Sequence, residues 1–121
     1  MSLKDTYCNA LEVLPVTIAS GQSMATAINL GGLRLFGVVM PTAWTLAAIT
    51  FQASFDGGTT WNNVKDADGN EVTITVAAND CVVWLPAAFA ALPMVRLRSG
   101  TAAIPVAQAQ DSVIQLILRS I

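Results

Sequence analysis

The chain contains no histidine. This removes the commonest general base and metal ligand, so neither a Ser-His-Asp nor a Cys-His catalytic arrangement can be built from it. Charge is also scarce: 12% of the 121 residues are Asp, Glu, Lys or Arg, against roughly a quarter in an ordinary soluble domain. The six Lys and Arg are scattered singly and the net charge is −2. No basic patch is available to neutralise phosphates, which argues against nucleic acid as a partner. Long apolar runs are missing too. A membrane helix needs about 18 uninterrupted apolar residues, and Arg34, Pro41 and Thr42 cut one candidate while Asp80 and Pro86 cut the other. No membrane span is expected. The opening MSLKDTYCNALEVLP lacks the basic-then-apolar order of a signal peptide, so export by the usual route is not expected either. Two cysteines, Cys8 and Cys81, make no disulfide framework. What is plentiful is apolar residues, at 54% with a mean hydropathy of +0.57. For one domain of this length the excess points to apolar surface covered by another chain.

The patterning is that of strands. Phe51–Val76 holds two hairpin corners in succession: Thr50, Gln52 and Ser54 alternate with Phe51, Ala53 and Phe55 up to Asp56-Gly57-Gly58, which supplies the positive-φ positions of a tight turn. A second turn cluster, Asp66-Ala67-Asp68-Gly69-Asn70, precedes Glu71–Val76, whose alternation is the cleanest in the chain. Residues 1–13 read as an N-terminal arm and 14–121 as a single domain. Further strands are expected over Leu14–Ser20, Ala25–Leu30, Leu33–Met40, Leu46–Phe55, Cys81–Leu85, Pro93–Ser99 and Ser112–Ser120, with Gly37 marking a bulge or a close backbone approach. Ala87–Leu92, between Pro86 and Pro93, is the one short helix expected. Eight or nine short strands with almost no helix predict an all-β, antiparallel sandwich of jelly-roll type.

Candidate chemistry is thin. Asp66, Asp68 and Glu71 form a carboxylate group, and with Asn70 they offer oxygens for calcium. Yet Gly69 sits too early for an EF-hand loop, and a turn accounts for all of them. Gly31-Gly32 and Gly57-Gly58 open no helix and so cradle no phosphate. Trp44, Trp61 and Trp84 are candidates for a sugar-stacking platform, with core or interface packing as the plainer reading: Trp84 is expected in the core and Trp61 partly exposed. Arg96 and Arg98, together with Arg34 and Arg119, are candidates to line one outer face, which alternation alone would leave solvated. Cys81, in the apolar run CVVWL, is expected as a buried small hydrophobe. No catalytic residue, cofactor site or metal site is assigned.

Residues 14–119 also resemble a known family. The order IASGQSMATAINLGGLRLFGVVMPTAW, LAAITFQASFDGGTTWNNV, MVRLRSGTAA and VIQLILR is similar to the small β-sandwich structural proteins of tailed bacteriophages and phage-derived gene transfer agents. The segments that carry the likeness are Leu30-Gly31-Gly32, Met40-Pro41-Thr42-Ala43-Trp44, Phe55 through Trp61, and Leu97-Arg98-Ser99-Gly100-Thr101. The resemblance implies a non-enzymatic virion protein assembled in the host cytoplasm, a head decoration or a spike or fibre-base component. It would pack against copies of itself and against other virion proteins. In the reducing cytosol free thiols are then the default, with Cys8 on the arm a candidate for oxidation between subunits after lysis. The alternative reading is an adhesion or carbohydrate-binding module that meets a host-surface glycan. Trp61, Trp44, Arg96 and Arg98 are the candidate ligand or interface residues for these readings.

Overall fold

The computed structural model describes residues 11–84, 89 and 91–120. Eight strands follow one another: β1 (Leu11–Ile18), β2 (Ile28–Asn29), β3 (Arg34–Val39), β4 (Ile49–Ser54), β5 (Asn62–Asn63), β6 (Cys81–Val83), β7 (Met94–Ser99) and β8 (Ser112–Arg119). They form two four-stranded antiparallel sheets, ordered β1-β8-β3-β6 and β2-β7-β4-β5. Within them β1 pairs with β8, β2 with β7, β3 with β6 and β4 with β5. This nesting is one long hairpin rolled up around a core, and the all-β sandwich is therefore a jelly roll.

Between the sheets, Ile18, Leu35, Val38, Ile114 and Leu116 from one meet Ile49, Phe51, Val95 and Leu97 from the other, and all are fully buried. Each such side chain contributes roughly 1.5–3 kcal/mol by leaving water. Phe89 closes the core edge-on against Phe51, with ring centroids 4.8 Å apart.

The connections β1–β2, β3–β4, β5–β6 and β7–β8 gather at one end and bond to one another. Gln108, fully buried, accepts the Thr45 N–H at 2.7 Å and donates to the Thr45 carbonyl at 3.0 Å. Ser20 N–H reaches Asp111 at 2.8 Å, and Thr42 Oγ1 donates to Asn79 at 2.8 Å. The β2–β3 and β4–β5 connections lie at the other end.

Two expectations change. β1 starts at Leu11 rather than Leu14, because Leu11 and Val13 already ladder with Arg119 and Ile117. The remainder of the expected arm, and most of the expected Ala87–Leu92 helix, lie outside the described residues. Glu71–Val76, the most regular alternation in the sequence, is no strand. Its successive residues bond to different neighbours, Glu71 bridging Lys65 and Ile74 bridging Ile49, while Val72 N–H donates to the Val64 carbonyl, so no ladder runs along it.

Three glycines perform their expected parts. The β3–β8 register shifts between Leu35 and Gly37, making the bulge, and a Cβ on Gly37 would stand 2.6 Å from the Val82 carbonyl oxygen. In the β4–β5 hairpin Gly57 and Gly58 have φ of 73° and 95°, where a Cβ is costly. Ser54 and Asp56 tie this turn: Ser54 Oγ accepts the Gly58 N–H at 2.8 Å and donates to Asp56 at 2.9 Å, and Asp56 accepts the Thr60 N–H at 2.8 Å. The bond from Thr60 N–H is the largest reason that the Asp56 carboxyl is lowered to about 2.

Candidate functional site

The two outer sheet faces differ in chemistry. On the β2-β7-β4-β5 sheet, Val95 and Leu97 of β7 point inward, and alternation turns Arg96 and Arg98 outward beside Thr50 and Gln52 of β4. Arg98 nevertheless is buried, at 5% exposure, which corrects the expectation of a solvated arginine. The segment after the Asp66 turn covers this part of the sheet and brings Glu71 to within 2.6 Å of the Arg98 guanidinium. Thr50 Oγ1 at 3.0 Å and Asn63 Oδ1 at 3.2 Å accept further N–H groups of Arg98, and Glu71 also takes the Ala102 N–H. Arg96 stays half-exposed. Its Nε and a terminal nitrogen both donate to Gln52 Oε1, at 2.9 and 2.6 Å, and its guanidinium lies 4.3 Å from the Trp61 ring centroid. Partial burial, and then the neighbouring Arg98 charge, pull the Arg96 guanidinium below its ordinary value. Among the described residues no carboxylate pairs with Arg96.

Arg34 and Arg119 do not join this face. They pair across β3 and β8 on the outer side of the opposite sheet, so the four arginines divide between the two faces of the sandwich. The candidate calcium oxygens divide as well: Glu71 serves Arg98, while Asp66 accepts the N–H groups of Asp68 and Asn70 in its own turn.

The three tryptophans are likewise apart. Trp61 follows the β4–β5 turn, half-buried, its indole N–H donated to the Gly58 carbonyl at 3.0 Å and one ring face stacked under Arg96. Trp44 belongs to the β3–β4 connection at the opposite end. It lines an open pocket of about 240 Å³ with Thr42, Ala43, Thr45, Ala109 and Gln110, and its N–H points to the Ala47 carbonyl at 3.3 Å. Trp84, expected inside the core, is half-buried at the core margin, where it donates to the Leu35 carbonyl and meets Phe89 at 5.6 Å. Each indole N–H is taken by the protein's own backbone, and no two of the rings form one platform.

The outer face of the β1-β8-β3-β6 sheet gathers four exposed valines, Val13, Val39, Val83 and Val113, while Leu46, Phe55 and Ile104 stand exposed singly in the connections. The register sets side chains on this face in rows: Val13, Ile117, Gly37 and Val83 form one row, Pro15, Gln115, Val39 and Cys81 the next, and Thr17 with Val113 a third. Val83 is 68% exposed and Val13 56%, and Val39, Val113, Pro15 and Cys81 are exposed too. Cys81 is therefore a surface thiol rather than a buried hydrophobe, because Val82 takes the inward position of the short strand β6. Within these three rows there is no charged residue. The basic pair Arg34 and Arg119 lies beyond them, at the end opposite Thr17.

Reasoning from the sequence missed this face, although β3 and β8 carried its signal. Their alternation is blurred: Ile114, Leu116 and Leu118 fill the inward positions while Val113 and Ile117 occupy outward ones. A strand apolar on both sides belongs to a sheet covered on both sides. Arg98 left no local signal, since its carboxylate comes from a distant turn. No helix among the described residues is long and apolar enough to cross a membrane. Comparison with protein-family models, curated proteins and solved structures finds no match for this chain.

Proposed function

We propose that this chain is a non-enzymatic structural protein of a virion, a head decoration or a spike or fibre-base component that works by packing against other particle proteins. The observation that carries the reading is the block of three uncharged, mostly apolar rows on the outer face of the β1-β8-β3-β6 sheet of a jelly roll. An apolar face at the upper end of what a monomer exposes marks an interaction site, and burying surface is how a structural subunit holds its place. Internally satisfied tryptophans and carboxylates divided between structural duties support the same reading, since neither is held free for a substrate.

A test uses particles from a producing cell, banded in a density gradient. The full chain is expected to band with the particles at a fixed ratio to the major capsid protein, and a chain that stays wholly in the soluble fraction overturns the proposal. A second reading, an adhesion or carbohydrate-binding module, rests on Arg96. This guanidinium lies over the Trp61 ring with no carboxylate partner among the described residues, and an acidic sugar would complete it. Arg96→Ala particles of normal composition that no longer adsorb to host cells would favour this second reading.

A further inference from the structure

We propose that the apolar face of the β1-β8-β3-β6 sheet is covered by the same face of a second copy of this chain, in a two-fold, face-to-face sandwich of sheets. The inference deepens the structural reading above and rests on it for the idea that the face is covered at all. What it adds is the occupant.

Area is the first argument. Four exposed valines with the exposed Pro15, Thr17 and Cys81 and the partly open Ile117 and Gln115 leave on the order of 600 Å² accessible, and complete burial of it on both copies reaches the ~1,200 Å² lower bound of specific interfaces. Shape is the second. Gly37 has no side chain, and Ile117 Cδ1 and Val83 Cγ1 come to 3.2 and 3.1 Å of where its Cβ would stand. The two neighbours thus close over the gap in the middle of the row and leave the level surface that sheet-on-sheet packing needs.

The alternative way to join two sheets, edge to edge, is disfavoured here. β1 is an edge strand interrupted by Pro15, which has no N–H to offer a neighbouring strand, and the other edge, β6, is only three residues long.

Charge is the third argument: it disfavours an acidic or basic partner and selects an orientation. Three uncharged rows offer such a partner nothing to recognise, and an isologous contact needs only apolar self-complementarity. Arg34 and Arg119 lie together at one end. A two-fold axis lying in the interface along the strands would bring both basic ends together. An axis across the strands sends them to opposite ends, so the facing strands of the two copies run antiparallel.

The experiment uses the full chain in a Cys8→Ser background, so that Cys81 is the sole thiol. Sedimentation at micromolar concentration is expected to give twice the 12.7 kDa chain mass, and maleimide labelling of Cys81 is expected to be slow. Val83→Lys places a charge in the row of Val13, Ile117 and Gly37. It is expected to weaken the dimer by about 100-fold, the scale of a charge buried in an interface without a partner, to speed Cys81 labelling and to leave the β circular dichroism spectrum unchanged. Val113→Ser, a milder change at the margin of the face, is expected to weaken the dimer without abolishing it.

A monomer with fast-reacting Cys81 overturns the proposal, as does a dimer whose Cys81 labels as fast as in Val83→Lys. Either result obtained for a chain that still bands with particles removes the face-to-face contact and leaves the structural role in place. A protected dimer that never enters particles upholds the contact and removes the virion role.

Discussion

Arg98 shows how a single side chain constrains this fold. A guanidinium at 5% exposure persists only if its donors are matched, and here Glu71, Thr50 and Asn63 match them. Glu71→Gln keeps the shape and removes the charge. It is expected to cost on the order of 3 kcal/mol, the scale for leaving a buried charge without its partner. A urea denaturation midpoint measures the loss. The double variant Glu71→Gln/Arg98→Met is expected to recover most of it, since an apolar stem needs no counter-charge. A single-variant loss below about 1 kcal/mol, the range of exposed pairs, would mean that water reaches the pair. Nothing near Arg98 in the sequence predicts this role. The arginine has the ordinary alternation of an outward residue, and only the crossing of the Glu71 segment buries it.

At the scale of elements, the β3 bulge separates two kinds of glycine. A Cβ on Gly37 would meet the Val82 carbonyl, a backbone atom that cannot turn aside. Gly37→Ala is therefore expected to destabilise by about 2–3 kcal/mol as an overpacked site does. Gly32→Ala, with nothing within 4 Å, is expected to stay within about 0.5 kcal/mol of the parent. Thermal melts of both variants check the contrast, and equal losses would dismiss the close approach. This glycine was legible in the sequence as a bulge or tight contact, and so were the Asp56-Gly57-Gly58 turn and the alternating strands β4 and β7, because each is fixed by residues adjacent in the chain. Glu71–Val76 was misread for the complementary reason. Alternation reports which way side chains point, whereas a ladder also requires one continuous neighbour, and this segment bridges Lys65 and then Ile49 instead. The apolar outer face was illegible strand by strand. Only the register that sets Val13, Ile117 and Val83 in one row shows them as a surface.

The whole molecule is a set of nested pairs, and the nesting fixes the order in which contacts become affordable in entropy. β4 and β5 are joined by a short turn with Ala53 opposite Asn62; β3 meets β6 across a longer loop; β1 meets β8 with Leu11 opposite Arg119, nearly the full chain away. Loop-closure entropy rises with each step outward, but it falls sharply once the inner pairs have formed and drawn the ends together. The β4–β5 turn and the β4–β7 contact are thus expected to form the folding nucleus, with β1 adding last. Ile18→Val on β1 and Ile49→Val on β4 test this, since both side chains are fully buried and each change is expected to cost about 1 kcal/mol. Stopped-flow refolding in the Val83→Lys background, at a concentration where sedimentation finds that variant monomeric, separates the two. Ile18→Val is expected mainly to speed unfolding, with φ near zero, and Ile49→Val mainly to slow folding, with φ above about 0.5. The reverse order would mean that the long-range β1–β8 pair seeds the sandwich, and that the apolar outer face, which β1 and β8 share, is assembled before the core it backs.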